Sequence, residues 1–140
     1  MLLVWTGNLS VGVKEFDDDH KRLLRMINEL GAAIRAAGAH GPVEEEEIEI
    51  TLHRLENYTQ YHCAREEELM AKTRFPDIED HRREHQFFFA TIAEMSQRFR
   101  GSTDPRHATE LMQFMYDWLT NHIYVTDMKY ASHLHANGIF

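Results

Sequence analysis

The sequence predicts an all-α protein, an up-down-up-down four-helix bundle with an extended N-terminal arm. Three observations predict this fold. Apolar residues recur every three or four positions along four long stretches, which is the spacing of one face of an α-helix. Short segments that contain glycine, proline or helix-capping residues separate the stretches. No stretch shows the alternation typical of strands, and such short connections make consecutive helices antiparallel neighbours.

The N-terminal arm covers residues 1–16, where glycine and polar residues interrupt every apolar pattern. Trp5 and Phe16 are its expected anchors on the bundle. The first helix is predicted over about 17–37. Its start is indicated by the three carboxylates of Asp17–Asp19, because negative charge is favourable in the first turn of a helix. Glycine and proline within 38–42 end it.

Three further helices are predicted over about 43–71, 77–100 and 105–129. The second has an acidic first turn at Glu44–Glu47. The third follows Phe75-Pro76 and ends at Gly101. The fourth begins with a capping segment, Ser102–Asp104, and then has proline in its first position. The residues after Lys129 are expected to form a short, partly disordered tail.

The composition limits the classes of function. The length of 140 residues predicts a single domain, 1–140, and the net charge of −8 without a basic stripe argues against a nucleic-acid partner. No apolar run reaches the length of a membrane span, and residues 1–5 lack the basic flank of a signal sequence. The lone Cys63 excludes an internal disulfide. These features predict a cytoplasmic protein, and the ten histidines are its unusual feature.

Two pairs of polar residues flank the short break between the second and third helices. His62 and Glu66 are four residues apart, as are His81 and His85. Residues four apart lie on one face of a helix, so each pair can converge on one point, as metal ligands must. The two pairs are therefore expected to face each other beside the connecting loop.

The predicted topology adds three more residues to this end of the bundle. The start of the first helix and the end of the fourth lie at the same end as the break, and they carry His20, His122 and Asp127. Seven residues then fall within roughly 15 Å of one end at the rise of an α-helix: His20, His62, Glu66, His81, His85, His122 and Asp127. So many imidazoles and carboxylates in an apolar core require a cation.

Imidazole and carboxylate ligands favour iron, manganese, copper or zinc over calcium or magnesium. The number of ligands favours two ions. Two octahedral metals offer twelve positions, of which five histidines, two bridging carboxylates and a shared oxygen atom would fill eleven. One position would remain open. This arrangement predicts a site that binds one small molecule reversibly.

The same residues resemble those of the hemerythrins, specifically the single-domain bacterial kind. The resemblance is carried by Trp5–Val13, Phe16–Leu23, Tyr61–Met70, Phe75–Pro76, His81–Phe87 and Trp118–Ile123, together with Asp127. It implies two iron ions with a bridging oxo or hydroxo group, and dioxygen as the ligand. By this likeness one iron would be held by His81, His85 and His122, the other, with the open position, by His20 and His62. Glu66 and Asp127 would bridge the two.

Several residues leave alternatives open. His122 and Asp127 are five residues apart, which turns an ideal helix by about 140°, so either a local widening of the helix or side-chain reach must bring them together. Cys63 is expected to be a small packing residue or, alternatively, a redox-active thiol. Leu119, Phe88 and Phe89 are candidates to line an oxygen pocket. The remaining histidines are expected on the surface: His40, His53, His107, His133 and His135.

The expected function is reversible dioxygen binding without catalysis, in an oxygen carrier, a store or a supplier to an oxygen-using enzyme. Oxygen or redox sensing, or iron handling, at the same centre is the first alternative. A di-iron oxidase or peroxidase is the second, but ferritin-like enzymes of this kind use Glu-x-x-His pairs, and the sequence contains none. A zinc hydrolase would need a free general base, which the pattern does not supply.

Overall fold

A computed structural model describes residues 3–40, 43–100 and 105–140, without the side chains of 37–40, 43–45 and 105. Within these residues every regular element is helical, so the predicted all-α four-helix bundle is confirmed. The helices are α1 (Lys14–His40), α2 (Val43–Lys72), α3 (Ile78–Arg100), α4 (Pro105–Asn121) and α5 (Met128–Ala136). A π-helical segment, His122–Asp127, joins α4 to α5 without a break. The predicted loop at 41–42 and the cap at 102–104 lie outside the described residues.

The N-terminal arm runs along the bundle and contains one 3₁₀ turn, Gly7–Leu9. The backbone of Leu3 pairs with the side-chain amide of Asn28 through two hydrogen bonds of 2.8 Å. Helix α1 then begins at Lys14, earlier than the predicted position 17. The carboxylate of Asp17 accepts hydrogen bonds from the Val11 backbone, at 2.8 Å, and from a serine hydroxyl of the arm. Asp17 therefore lies in the acidic first turn of α1, as predicted, and also holds the arm.

Two apolar clusters form the core. The larger lies between the four long helices and is built mainly from leucine and isoleucine, including Leu24, Leu55, Phe88 and Ile123. The smaller joins the arm, the α2–α3 connection and α5. It consists of Val11, Val13, Phe16, Met70, Phe75, Tyr130 and Leu134. Along each helix the predicted metal ligands lie between the residues of the two clusters, so apolar side chains enclose them from both sides.

The residues after Lys129 differ from the predicted disordered tail. They form α5, and Tyr130 and Leu134 are fully buried. His133 and His135 are half-buried, not surface residues as predicted. Their Nε2 atoms lie 2.8 Å from the carbonyl oxygens of Thr73 and Gly12 respectively. The prediction was wrong because Tyr130 and Leu134, four residues apart, continue the inward face of the helix and bind it to the smaller cluster.

Of the helices in the described ranges, none has both the length and the apolar character that a bilayer crossing needs.

Candidate metal centre

The structure brings all seven predicted residues together at one end of the bundle. His20 comes from α1, His62 and Glu66 from α2, His81 and His85 from α3, and His122 and Asp127 from the π-helical segment. Each side chain is buried, with exposed fractions between 0% and 3%. Ligand atoms converge in two groups, in each of which all lie within 4.8 Å of one another. One group is His20, His62, Glu66 and Asp127, and the other is Glu66, His81, His85 and His122.

Each of the two carboxylates directs one oxygen to the first group and its other oxygen to the second group. Asp127 Oδ2 lies 3.1 Å from His20 Nε2, whereas its Oδ1 lies 3.1 Å from His81 Nε2 and 3.0 Å from His122 Nε2. Glu66 Oε1 contacts His62 Nε2, and its Oε2 lies 3.4 Å from His81 Nε2. Carboxylates in this orientation can bridge two metal ions.

These close approaches do not satisfy the polar atoms. Neither oxygen of Glu66 or Asp127 has a hydrogen-bond partner among the described residues, and the same holds for Nε2 of His20, His62 and His81. Buried polar atoms left unpaired destabilise a fold by about 1–3 kcal/mol each. The atoms are close but not aligned donor to acceptor, as expected if they are directed at shared points between them. The residues present therefore fit a pair of metal ions.

The ionisation of the site also favours bound cations. Burial opposes a charge on His62, but the Glu66 charge and a hydrogen bond with Asp19 raise its pKa to about 10. Burial likewise opposes a charge on His81, but the close approach of the Asp127 and Glu66 carboxylates raises its pKa to about 10. Burial would raise the pKa values of Glu66 and Asp127, yet the neighbouring imidazoles hold both below their ordinary range. The two carboxylates are thus ionised and attract positive charge, here as protons on the neighbouring imidazoles, which bound cations would replace.

The π-helical segment resolves the awkward spacing of His122 and Asp127. In a π-helix the hydrogen bonds join residues five apart, so these two residues lie one above the other across a single wide turn. Of the two predicted alternatives, the structure contains the local widening of the helix. Tyr124 and Val125, in the middle of the segment, are exposed, whereas both predicted ligands at its ends are buried.

Three residues contact the predicted ligands from behind, although the sequence analysis gave them no role at the site. The Asp19 carboxylate lies 2.8 Å from His62 Nδ1, and Glu67 Oε2 lies 3.0 Å from His85 Nδ1. The indole of Trp118 stacks on His122, with ring centroids 4.3 Å apart and planes 11° apart. Asp19 and Glu67 lie next to predicted ligands in the sequence, which is a signal, but only the rotation of the helices shows which histidine each one meets.

Tyr130 lies beside His81, on the side of the site that faces the smaller cluster. It is fully buried, and its ring stacks on His81 at a centroid distance of 5.6 Å. Its hydroxyl has no hydrogen-bond partner in the described part of the chain. Burial and the negative charges of Asp127 and Glu66 raise the pKa of this phenol well above its ordinary value. The phenol is therefore neutral and available as a donor towards the site.

The candidate oxygen-pocket residues have different environments. Phe88 is buried and packs on Trp118 with ring centroids 4.3 Å apart, which places it one ring away from His122. Leu119 is 4% exposed and belongs to the larger apolar cluster, whereas Phe89 is only partly buried. The role of these three residues in a pocket stays a prediction.

Cys63 directly follows the predicted ligand His62 on α2. Cys63 is buried, and burial together with the charge of Glu66 raises the pKa of its thiol well above the ordinary value. Both features favour the packing role over a reactive thiolate.

A small cavity of about 90 Å³ opens to the surface beside His81 and Thr126 and has an acidic rim.

Comparison with known proteins gives one family. The model of the Hemerythrin HHE cation binding domain matches residues 11–134. A bacteriohemerythrin of Stenotrophomonas maltophilia (strain R551-3) is 34% identical in an alignment that covers 97% of this chain and 84% of that protein. A bacteriohemerythrin of Pseudomonas aeruginosa (strain LESB58) is 32% identical over 92% of this chain and 79% of that protein.

Weaker similarity is found to a further relative and to solved structures. A hemerythrin-like protein of Naegleria gruberi is 30% identical over 90% of this chain and 88% of that protein. The crystal structure of a hemerythrin with a leucine-to-tyrosine substitution superposes with a TM-score of 0.78. The two chains are 27% identical, and the match covers 95% of this chain and 97% of the other.

Proposed function

The chain belongs to the hemerythrin family, and we propose that it binds dioxygen reversibly at a centre of two iron ions held by the seven buried residues. The observation that carries the proposal is the set of unpartnered ligand atoms, which includes both oxygens of Glu66 and of Asp127 and Nε2 of His20, His62 and His81. These atoms form two groups that share a carboxylate. The donor set of imidazoles and carboxylates suits iron.

The assignment of ligands follows the two groups. His81, His85 and His122 would hold one iron, His20 and His62 would hold the other, and Glu66 and Asp127 would bridge them. An oxo or hydroxo group would complete the bridge. The second iron would then have one histidine fewer and would keep the open position. The irons, when bound, would supply the electrons with which dioxygen is held.

The surrounding side chains would keep this position dry. The smaller cluster, including Phe16 and Tyr130, covers the site from one side, and the larger cluster covers it from the other. Water and protons would promote release of the bound oxygen as hydrogen peroxide, which would leave the irons oxidised. Leu119, Phe88 and Phe89, on the side of the larger cluster, are proposed to exclude water at the open position.

We propose that the protein carries or stores oxygen in the cytosol, or supplies it to an oxygen-using enzyme. Sensing, or iron handling, at the same centre is the alternative role, and it would require a partner to receive the signal or the metal. A di-iron oxidase or peroxidase is the alternative of another class. Turnover of a reducing substrate together with oxygen or peroxide would distinguish an enzyme from a carrier.

The test is an optical spectrum and a metal analysis of the same sample. The purified chain is loaded anaerobically with ferrous iron, freed of unbound iron, and exposed to oxygen and then to vacuum. We expect two irons per chain and a charge-transfer band that appears with oxygen and disappears under vacuum. His53→Ala, which changes an exposed histidine, is the matched control for histidine loss and should behave like the wild type. One metal per chain, or no band after oxygen, contradicts the proposal.

A further inference from the structure

Asp19 is a buried carboxylate whose side chain, among the described residues, contacts His62 of the site. Its side chain is 8% exposed, and its Oδ2 lies 2.8 Å from His62 Nδ1. An ionised carboxylate accepts hydrogen bonds and cannot donate them, so Nδ1 of His62 carries the proton. In the neutral ring, the form that binds a metal, the lone pair of His62 is then on Nε2, the atom that faces Glu66.

Two side chains of α2 hold the Asp19 carboxylate in place. The hydroxyl of Tyr58 donates to Oδ1 at 2.9 Å. The guanidinium of Arg65 lies 3.3 Å from Oδ1 and 3.2 Å from Oδ2, and is itself paired with Glu15 at 2.8 Å. Together with His62 Nδ1, these groups hold the Asp19 carboxylate in one orientation.

The histidines of the two groups differ in this support. In the group with the proposed open position, His20 Nδ1 has no hydrogen-bond partner within the described residues, so His62 is the histidine with a carboxylate behind it. In the other group His85 is backed by Glu67, whose side chain is 28% exposed. A buried carboxylate polarises its imidazole more than an exposed one, because less solvent screens the charge.

We propose that Asp19 is a positioning residue that fixes the tautomer of His62 and raises its donor strength towards the iron with the open position. A carboxylate behind a metal-bound imidazole increases the basicity of the ligand and orients its ring. A stronger donor stabilises the ferric state over the ferrous state. Asp19 thereby lowers the reduction potential of the centre and favours the electron transfer by which oxygen is held. This inference rests on the proposed function.

The first test replaces Asp19 by asparagine in the iron-loaded protein. Asp19→Asn keeps the shape and an acceptor oxygen but removes the charge. We expect a higher reduction potential and iron affinity about ten- to a hundredfold weaker, the usual range for such outer residues. Asp18→Asn is the control, because it makes the same charge change one residue earlier, at an exposed side chain paired with Lys14. It should leave both quantities unchanged.

The second test distinguishes electronic tuning from damage to the fold. Tyr58→Phe removes one donor to Asp19, which leaves the carboxylate a stronger acceptor for His62. The potential should therefore fall, opposite in sign to the effect of Asp19→Asn. Damage to packing would move both variants in the same direction. Potentials that shift together, or an Asp19→Asn variant with unchanged potential and iron affinity, overturn the inference.

The potential and the affinity are measured without oxygen, so the two proposals fail separately. A wild-type protein that binds two irons but no oxygen contradicts the proposed function, while the potentials of the variants still decide the role of Asp19. If Asp19→Asn does not fold, Asp19→Glu replaces it. The longer side chain keeps the negative charge behind His62, so the reduction potential of Asp19→Glu should stay close to that of the wild type. A clearly higher potential in this charged variant overturns the inference.

Discussion

His85 and His122 face each other through their Nε2 atoms, which lie 3.2 Å apart in the interior. The proton of His85 is on Nδ1, where it meets Glu67. Burial lowers the pKa of His85, so this ring is neutral and its Nε2 presents a lone pair to the opposite imidazole. Two buried histidines held in this way are best satisfied by a cation that both can ligate.

Removal of metal should therefore lower the melting temperature markedly. A metal that binds only the native state contributes its binding free energy to stability. The test compares thermal melts by circular dichroism before and after chelation, at the same pH, with reloaded protein as control. Hydrogen exchange in the metal-free form should be fastest between His62 and His85. Equal melting of the two forms would argue against a buried metal site.

Single ligand replacements should affect the two irons differently. His20→Ala should release the iron with the open position first, because that iron is left with one histidine, and oxygen binding should be lost with it. His81→Ala should impair iron retention more than oxygen binding, because the iron that loses His81 still has His85, His122 and both bridging carboxylates. Iron per chain and the oxygen-dependent band are measured together, with His53→Ala as control. Full, reversible oxygen binding by His20→Ala would show that the assignment on α1 is wrong.

Replacement of Leu119 should shorten the life of the oxygenated form without loss of iron. Leu119→Ala, and more strongly Leu119→Asn, should admit water and speed oxidation to the ferric state several-fold, since about 1.4 kcal/mol of barrier corresponds to a factor of ten. The measurement is the decay of the charge-transfer band at fixed pH.

The structure supplies a matched control for Leu119. Leu111 lies two turns earlier on α4, is fully buried and belongs to the same apolar cluster. Both leucine-to-alanine changes should destabilise the fold by about 2–5 kcal/mol. Leu111→Ala should do so without faster oxidation. If Leu119→Ala oxidises at the wild-type rate with its iron intact, Phe88 and Phe89 become the next candidates.

The C-terminal helix should contribute to global stability. Leu134 is fully buried in the smaller cluster, so Leu134→Ala is expected to lower the free energy of unfolding by about 2–5 kcal/mol. Ser132→Ala, at an exposed position of the same helix, should change it little. Urea unfolding of the metal-free proteins measures both. A negligible effect of Leu134→Ala would indicate that α5 is detached in solution.

Tyr58 should make stability fall at alkaline pH. Burial and the hydrogen bond to Asp19 raise the pKa of Tyr58 to about 12, whereas an unfolded tyrosine ionises near pH 10. The folded state therefore prefers the neutral phenol, and this contribution is complete below about pH 10 and is lost as the pH rises towards 12. The free energy of unfolding of the wild type should decrease relative to that of Tyr58→Phe over this interval. Parallel curves would contradict the assignment.

The sequence was sufficient for the fold class and for the set of residues that converge. Both depend on helical periodicity, and the topology follows from short connections. It was insufficient where a residue acts across helices. Asp19 was interpreted as part of a helix start, but its partner His62 is on α2, and only the rotation of α1 against α2 decides that contact. The tail was mispredicted because its contacts are with distant parts of the chain: Tyr130 and Leu134 pack in the smaller cluster, and its histidines lie beside backbone carbonyls of the arm and of the α2–α3 connection.

The wide turn from His122 to Asp127 acts as a one-residue insertion in an otherwise continuous helix. Every residue after it is rotated by about 100°, one helical step, relative to an uninterrupted continuation of α4. Deletion of Tyr124 or Val125, whose side chains are exposed, would restore a regular α-helix and bring His122 and Asp127 to a spacing of four residues. Tyr130 and Leu134 follow Asp127 in the sequence, so they would rotate together with it. The orientation of α5 and the geometry of the candidate metal centre therefore both depend on the length of this one turn.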